Sequence, residues 1–306
     1  MIRSIGIVLS VAVLLLAGCT STPEVSEENK AEQDAYVASI NKWHLEREED
    51  LKSEEGWLSL AGLFWLKEGE NTFGSAGTND LVFPDGKIPA VAGSFILAGN
   101  EVRMEVNDTV AILSEGKPVK QAVVYTPEMQ HAPVLKYGPL SWFVIKRGDK
   151  YGIRLRDMES EARKQFKGIN RYPVSESWKL KARLEQNPFP KQIAITNILG
   201  QTSQENSPGT LVFTVDGQEH RLDALQEGEK LFVIFADRTN GTETYGAGRY
   251  LYAAMPDANG HTTLDFNKAT NPPCAFVPYA TCPLPPKQNF LPIKVMAGEM
   301  AYEAGH

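Results

Sequence analysis

Side-chain types that bind anions are concentrated in the C-terminal third of this 306-residue sequence. They are Tyr245, Arg249, Asp265, Asn267 and Asn271. Arginine offers a planar fork of donors that fits a carboxylate or a phosphate, and an aromatic neighbour can form one wall of such a site. If these residues lie on adjacent strands, Arg249 and Asp265 can instead face each other as a buried ion pair. The sequence leaves both interpretations open.

Two cysteines in the same region, Cys274 and Cys282, allow three kinds of chemistry. In an oxidising compartment we expect them to form a disulfide. Cys274 could instead be a nucleophile, with His261 as its base and Asp265 or Asn267 orienting that base. A zinc site would need two further ligands, which the neighbouring sequence does not offer. We favour the disulfide.

The loop around these cysteines is itself a candidate site. Six prolines lie between Pro272 and Pro286, so the segment is not expected to form a regular central strand. Long irregular loops within a compact domain are more often functional than not. Tyr279, between the two cysteines, is therefore a further ligand-binding candidate.

Several familiar catalytic patterns do not occur in the sequence. There is no His-Glu-x-x-His motif, no Walker-type phosphate loop and no Gly-x-Ser-x-Gly elbow. The histidines are scattered and not paired at metal-ligand spacing; they stand at positions 44, 131, 220, 261 and 306. We predict no cofactor and no metal, and the sequence does not decide whether the protein is an enzyme.

The N-terminus has the pattern of a lipoprotein export signal. Arg3 precedes an apolar run, and Leu16-Ala17-Gly18-Cys19 resembles a lipobox. The apolar run is about 13 residues long, short of the roughly 20 that span a bilayer as a helix. We therefore predict a signal peptide over residues 1–18, lipidation of Cys19 and attachment to a membrane by the lipid, as in other palmitate-bearing lipoproteins.

The segment after Cys19 is polar, and residues 19–34 are predicted to be a flexible tether. Thr20 stands where an aspartate would retain a lipoprotein in the inner membrane, so by analogy with Gram-negative sorting we expect the cell outer membrane, facing the periplasm. The chain has 31 Lys+Arg against 38 Asp+Glu. This negative balance disfavours nucleic acid as a partner.

The body of the chain is predicted to be mainly β. An apolar stripe at Tyr36, Ile40, Trp43 and Leu51 predicts one amphipathic helix ending near Gly56. After it, short β-rich runs are separated by turn residues rather than by helices, which indicates antiparallel strands in a sandwich or a partly closed barrel. The expected strands include residues 81–83, 94–97, 110–113, 142–145, 151–156, 192–196, 210–215 and 231–235. We expect the first three of them to form a meander and residues 142–145 and 151–156 to form a hairpin. Residues 244–252 and 262–267 are expected to be adjacent strands across Asn259-Gly260, with Tyr245 and Arg249 on one face and Asp265 and Asn267 on one face of the second strand. We expect a single globular domain over residues 35–306.

Short motifs rich in glycine, proline and aromatic residues recur along this body. They are Gly56-Trp57-Leu58, 62–66, Phe73-Gly74, 154–157, 244–251, 264–267, 271–276, 281–286 and Ala297-Gly298-Glu299. Together they resemble DUF1684, a bacterial domain of unknown function, over roughly residues 43 to 300. The resemblance implies no particular activity. Thr270 and Phe290 depart from the expected aromatic and basic residues, so a ligand that touches them would differ from that of other members.

These observations favour an envelope lipoprotein that binds a small molecule, a polymer or a protein in a pocket near the Pro-rich loop. The main alternative is a hydrolase that uses the same pocket. A hydrolase should place a titratable side chain beside a second catalytic group at the floor of the pocket. A purely structural envelope component would have no pocket.

Overall fold

The computed structural model describes residues 27–302. Its helices and strands are, in order, α1 (Glu27–Lys52), β1 (Leu60–Trp65), β2 (Gly69–Gly74), β3 (Leu81–Val82), β4 (Gly93–Ala98), β5 (Glu101–Val106), β6 (Ile112–Ser114), β7 (Lys117–Val119), β8 (Gln121–Tyr125), β9 (Leu135–Tyr137), β10 (Leu140–Arg147), β11 (Lys150–Asp157), α2 (Glu161–Gln165), β12 (Lys179–Thr196), β13 (Thr202–Val215), β14 (Gln218–Glu227), β15 (Lys230–Phe235), β16 (Arg249–Ala254) and β17 (His261–Asp265). Short 3-10 helices lie at Trp57–Ser59, Glu176–Trp178, Phe266–Lys268, Pro273–Ala275 and Lys287–Asn289. The prediction of a mainly β, antiparallel fold is confirmed.

Helix α1 begins earlier than its apolar stripe. Residues 27–34, the second half of the predicted tether, are helical and exposed. Glu27 and Glu28 in the first turn favour a helix start, and the following residues are mostly good helix formers. The predicted signal peptide, Cys19 and the first half of the tether lie outside the described residues. None of the described helices is both long and apolar enough to cross a membrane.

Helix α1 ends where the chain passes close to itself. Its buried residues are Ile40, His44 and Leu51, which lie on one face as the apolar stripe predicts. After Lys52 the chain turns so tightly that a Cβ atom on Gly56 would lie 2.2 Å from the carbonyl oxygen of Leu51. Only glycine fits this approach.

The first two sheets form a sandwich. The first sheet has the order β1-β11-β10-β9-β6-β7 and the second the order β3-β2-β4-β5-β8. Phe73 and Phe95 from the second sheet pack with Trp142 and Leu155 from the first in one core. The predicted hairpin of residues 142–145 and 151–156 is present as β10 and β11, with Val144 opposite Ile153.

Residues 81–113 do not form the simple meander that the turn signals suggest. β3 pairs in parallel with β2, and β6 belongs to the first sheet.

The third sheet has the order β16-β15-β14-β13-β12-β17 and curls until its two edge strands approach each other, which makes a nearly closed barrel. Its core includes Leu211, Val233, Leu251 and Phe266. Residues 192–196, 210–215 and 231–235 are strands, as predicted.

A third core lies between the barrel and the sandwich. Leu51 of α1, Leu60 of β1, Phe232 of β15 and Phe276 of the Pro-rich loop are all buried in it. It joins the helix, the sandwich and the barrel by apolar contacts. The loop that carries the cysteines is thus one wall of this junction.

Candidate functional site

Arg249 forms its ion pair with Asp237. The prediction that its partner is Asp265 is wrong. The Nη2 of Arg249 donates to Asp237 Oδ2 at 2.8 Å, and both side chains are completely buried. Nη1 donates to the carbonyl oxygen of Ala297 at 2.6 Å, Nη2 also donates to that of Val295 at 2.9 Å, and Nε has no hydrogen-bond partner. The guanidinium also lies 5.3 Å from the ring centroid of Phe235. This is the geometry of a structural ion pair that holds the C-terminal segment against the barrel.

The expected pairing fails because the strands are arranged differently. We expected β16 and β17 to be neighbours across the Asn259-Gly260 turn, but β17 pairs with β12. Tyr245 was expected on the same strand face as Arg249, yet β16 begins at Arg249, and Tyr245 lies in the preceding turn. Burial raises the pKa of the half-buried Tyr245, and so do the nearby thiols of Cys274 and Cys282.

Asp265 and Asn267 bind α1 instead of Arg249. Tyr36 donates its hydroxyl to Asp265 Oδ1 at 2.9 Å, and the Nδ2 of Asn267 donates to the same oxygen at 3.0 Å. His44 Nε2 lies 2.8 Å from the carbonyl oxygen of Asn267. Burial raises the pKa of Tyr36 and lowers that of His44 to about 4. These residues fix the helix on the barrel.

Asn271 belongs to a second set of contacts with the helix. Its backbone N–H donates to Glu299 Oε2 at 2.6 Å, and its Nδ2 donates to the carbonyl oxygen of Met300 at 2.7 Å. Glu299 is fully buried and accepts from Arg47 Nε at 2.5 Å. Sequence reasoning missed this Arg47–Glu299 pair, although Glu299 ends the motif Ala297-Gly298-Glu299.

Cys274 and Cys282 face each other across their loop as free thiols. Each backbone N–H points to the other sulfur: Cys274 N lies 3.1 Å from Cys282 Sγ, and Cys282 N lies 3.4 Å from Cys274 Sγ. The predicted disulfide is therefore not formed in this structure, but the chain already brings the two sulfurs together. Among the contacts of the described residues, none joins His261 to Cys274, so the expected catalytic base is not in place.

Local sequence explains why this loop is compact although it is irregular. Pro272 and Pro273 preset the 3-10 helix Pro273–Ala275, in which Ala275 N donates to the Pro272 carbonyl. Farther along, Ile198 N donates to Cys282 O, and Leu284 N donates to Thr196 O. The loop is thereby attached to the end of the β12–β13 hairpin.

A cavity with a volume of about 1120 Å³ lies beside this loop. Residues 276–279 form one wall, and the other walls come from α1, β1, α2 with residues 167–170, and the chain at 301–302. Of the ligand-binding candidates, only Tyr279 lines it.

Ser160 positions α2 at the rim of the cavity. Its hydroxyl caps the helix by accepting from Arg163 N, and it donates to Leu58 O at 2.5 Å.

The cavity combines aromatic surface with charges of both signs. Phe276 packs on Tyr302 with ring centroids 4.9 Å apart, and Tyr279 is partly exposed beside them. Lys164 and Lys167 are exposed at the rim. Across residues 27–302 there is no group of three or more histidine, cysteine or acidic side chains that could hold a metal ion.

The carboxylates that line the cavity already have protein partners. Glu48 accepts the backbone N–H of Ile169 at 3.0 Å. Asp157 accepts from Lys87 Nζ at 2.6 Å and from the backbone N–H of Glu159 at 2.8 Å. No histidine or cysteine is among the described residues that line it.

The fold and this cavity define a mainly antiparallel β protein with one large cleft beside a Pro-rich loop. The chain belongs to the family described as DUF1684, protein of unknown function, whose sequence model matches residues 164–300. The matched part holds the barrel and the Pro-rich loop. The sandwich lies outside the matched part, and so do the motifs before residue 158 that resemble the family.

Three solved structures are similar to parts of the chain. An uncharacterized protein from Haloarcula marismortui, solved by NMR, is 32% identical, with 47% of this chain and 81% of that chain covered and a TM-score of 0.39. An FHA domain studied for phosphothreonine-dependent interactions is 15% identical, covering 31% of this chain and 92% of that one, with a TM-score of 0.22. The FhaA FHA domain, complexed with the intracellular domain of Rv3910, has the same identity and TM-score over 31% of this chain and 97% of that one. None of the curated proteins matches the chain.

Proposed function

We propose that the protein is a lipid-anchored binding module of the cell envelope, and that its site is the cavity beside the Pro-rich loop. The observation that carries the proposal is the position of the cavity. Its wall at residues 276–279 is the segment between the two cysteines, where the sequence predicts an exposed aromatic surface. The lining mixes polar and apolar side chains in similar measure, and a concave site with aromatic side chains beside polar groups suits ligand binding.

The lining predicts the chemistry of the ligand. Phe276, Tyr279 and Tyr302 offer aromatic faces, and the lysines and acids at the rim offer hydrogen bonds and charge. We expect a ligand with at least one apolar face and several hydrogen-bonding groups. The cavity is open enough for a segment of a longer chain to enter.

The contacts of the lining carboxylates favour binding over hydrolysis. Glu48 and Asp157 are engaged by a backbone N–H and by Lys87, and neither has a histidine or cysteine partner in the cavity. A hydrolase would need a group free to exchange a proton beside a second catalytic group.

The experiment for the cavity is Tyr279→Ala. Binding of envelope-derived oligosaccharides and short peptides would be followed by saturation-transfer NMR. We expect Tyr279→Ala to weaken a detected ligand about tenfold, since a stacked aromatic contributes about 1–3 kcal/mol, while the melting temperature stays nearly unchanged. Phe290→Ala is the matched control, because Phe290 is an exposed aromatic of the same C-terminal segment outside the cavity. Equal losses in both variants would contradict the assignment.

The lipid anchor has its own experiment. Export and lipidation at Cys19 would place the exposed start of α1 close to the membrane surface, with the outer membrane favoured by Thr20. Cys19→Ser should abolish palmitate labelling and release the protein from the membrane fraction. Retention of the label in this variant would remove lipidation at Cys19 from the proposal.

The proposal also includes the bond between the cysteines. In an oxidising envelope, two thiols with their backbone N–H groups directed at each other's sulfur are well placed to form a disulfide. Mass spectrometry of protein isolated from the envelope without reductant should show both thiols absent. Free thiols in that material would contradict this part.

A further inference from the structure

The junction between the sandwich and the barrel contains a buried arginine without an acidic partner. Arg154 is 5% exposed, and its Nε has no hydrogen-bond partner. Its guanidinium lies 5.6 Å from the ring centroid of Trp57. None of the ion pairs formed by the described carboxylates includes it. Trp57 packs in the same apolar core as Cys274 and Cys282, and both cysteines act electrostatically on Arg154.

Two other enclosed arginines have hydrogen-bond partners. Arg156, two residues along β11, donates from Nη1 to the Gly56 carbonyl at 2.9 Å and to Ser59 Oγ at 3.1 Å. Arg249, in the barrel, pairs with Asp237. A buried cation is costly unless an anion faces it, and an unsatisfied donor adds to this cost. Burial accordingly lowers the pKa of Arg154 to about 10, and the positive charges of Arg147 and Arg156 add to the effect.

The groups that favour the charged form of Arg154 are the two cysteines. A negative charge on either cysteine stabilises the guanidinium. The thiols are also arranged so that one of them can be an anion. The backbone N of each cysteine lies near the other sulfur, at 3.1 Å from Cys282 Sγ and 3.4 Å from Cys274 Sγ, and backbone donors stabilise a thiolate. In its protonated form, Cys274 donates to the Ala280 carbonyl at 3.4 Å. Cys282 is buried and Cys274 is more accessible, so an incoming reagent reaches Cys274 first.

We propose that Cys274 and Cys282 are a reversible dithiol site, in which Cys274 is the reactive thiolate and Arg154 is the positioning cation. The ligand class is an electrophilic sulfur, supplied by a small-molecule disulfide. Electrostatics agree with this assignment. A hydrogen bond from Cys282 lowers the pKa of Cys274 despite burial, and the charge of Arg154 lowers it further. The same hydrogen bond raises the pKa of Cys282, so the pair retains one proton when Cys274 ionises.

The reaction has two exchange steps. The Cys274 thiolate attacks one sulfur of a disulfide RSSR, which forms a Cys274–SR mixed disulfide and releases RS⁻. The Cys282 thiol then loses its proton to the released RS⁻ and attacks the Cys274 sulfur. This forms the Cys274–Cys282 bond and releases a second RS⁻, which takes a proton from water or buffer. In balance, the protein dithiol loses two electrons, and RSSR becomes two RSH.

The first experiment measures the rate of Cys274 alkylation by iodoacetamide as a function of pH. It uses the full chain with Cys19→Ser, so that only the two cysteines react, and tandem mass spectrometry assigns the modified residue. We expect Cys274 to react first, with a midpoint below the roughly 8.5 of an ordinary cysteine. Arg154→Gln should lower the rate at pH 7 about tenfold, Arg154→Lys should restore most of it, and Arg156→Gln should change it less than threefold. A midpoint of an ordinary cysteine, or equal effects of Arg154→Gln and Arg156→Gln, would overturn the proposal.

The second experiment needs no arginine variant and therefore stands even if Arg154→Gln does not fold. The same protein is equilibrated with mixtures of reduced and oxidised glutathione, quenched with acid and analysed for the Cys274–Cys282 bond. A reversible site should change from dithiol to disulfide within the glutathione range. A bond that only dithiothreitol reduces, or thiols that never pair, would contradict it. Neither experiment depends on what the cavity binds.

Discussion

Arg154 and Arg249 are both buried, but only Arg249 has a carboxylate partner. Arg249 pairs with Asp237 and donates to carbonyl oxygens of the C-terminal segment, although its Nε has no hydrogen-bond partner. Arg154 has an aromatic neighbour, and both cysteines act on it electrostatically. Asp237 neutralises the charge of Arg249 within the fold, whereas the charge of Arg154 can stabilise a thiolate. The same side chain thus serves structure at one position and, in our proposal, chemistry at the other.

The Arg249–Asp237 pair gives a stability prediction. Arg249→Ala leaves the Asp237 carboxylate buried without its cation, so we expect the free energy of unfolding to fall by about 3–5 kcal/mol. Urea unfolding followed by circular dichroism measures it. Arg238→Ala, at an exposed neighbouring position, should change it by less than about 0.5 kcal/mol. A loss near 1 kcal/mol for Arg249→Ala would indicate a solvated pair.

For single residues, the sequence predicts which side chains form contacts better than it predicts the partners of those contacts. It marked Arg249, Asp265, Asn267 and Asn271, and in the structure the side chains of all four bond other parts of the chain. The partner of Arg249 is Asp237, Asp265 and Asn267 bond Tyr36 of α1, and Asn271 bonds Met300. These contacts depend on how helix and sheets dock, which no local pattern encodes.

Among the elements, α1 has the largest role in assembling the site. Tyr36, His44 and Arg47 bond the C-terminal segments, and Glu48 lines the cavity. The period of the apolar stripe predicted the buried face of the helix, because that face must pack on something apolar. It could not predict the polar contacts, which join residues more than 220 positions apart.

His44 makes the docking of α1 sensitive to pH. Its Nε2 donates to the Asn267 carbonyl, and burial lowers its pKa to about 4, from 6.5. Because the folded pKa is the lower one, the unfolded chain takes up the proton first. The stability that His44 contributes is complete above pH 6.5 and is lost as the pH falls towards 4.

We therefore expect the free energy of unfolding to fall by about 2 kcal/mol more between pH 7 and pH 4 in the native protein than in His44→Gln. Glutamine retains a donor for the Asn267 carbonyl but does not titrate, so it isolates the protonation. Denaturant unfolding at several pH values measures the difference. Parallel pH dependence in the two proteins would show that His44 does not control the docking.

For the molecule as a whole, hairpins were easier to predict than sheets. The β10–β11 hairpin follows from two β-rich runs on either side of a turn that contains Gly148. The assignment of strands to sheets was harder. β6 and β7 belong to the first sheet, although β5 and β8 on either side of them in the sequence pair in the second, and β17 joins β12 across most of the barrel sequence. The cavity lies beside the Pro-rich loop, but α1, β1 and α2, which form three of its other walls, are more than 100 residues away in the sequence.

The third core joins the sandwich and the barrel, and it should make their unfolding one event. Leu58 is fully buried in this junction and belongs to neither β core. Leu58→Ala removes methyl groups from a filled space and should cost about 2–5 kcal/mol. If the two parts unfold together, hydrogen exchange at the most protected amides of β10 and β15 should accelerate by the same factor.

Val212→Ala, at a buried β13 position outside the three cores, is a control for general destabilisation. Acceleration in only one of the two strands would mean that the sandwich and the barrel unfold separately, in which case the cavity between α1, β1 and the Pro-rich loop could open without global unfolding.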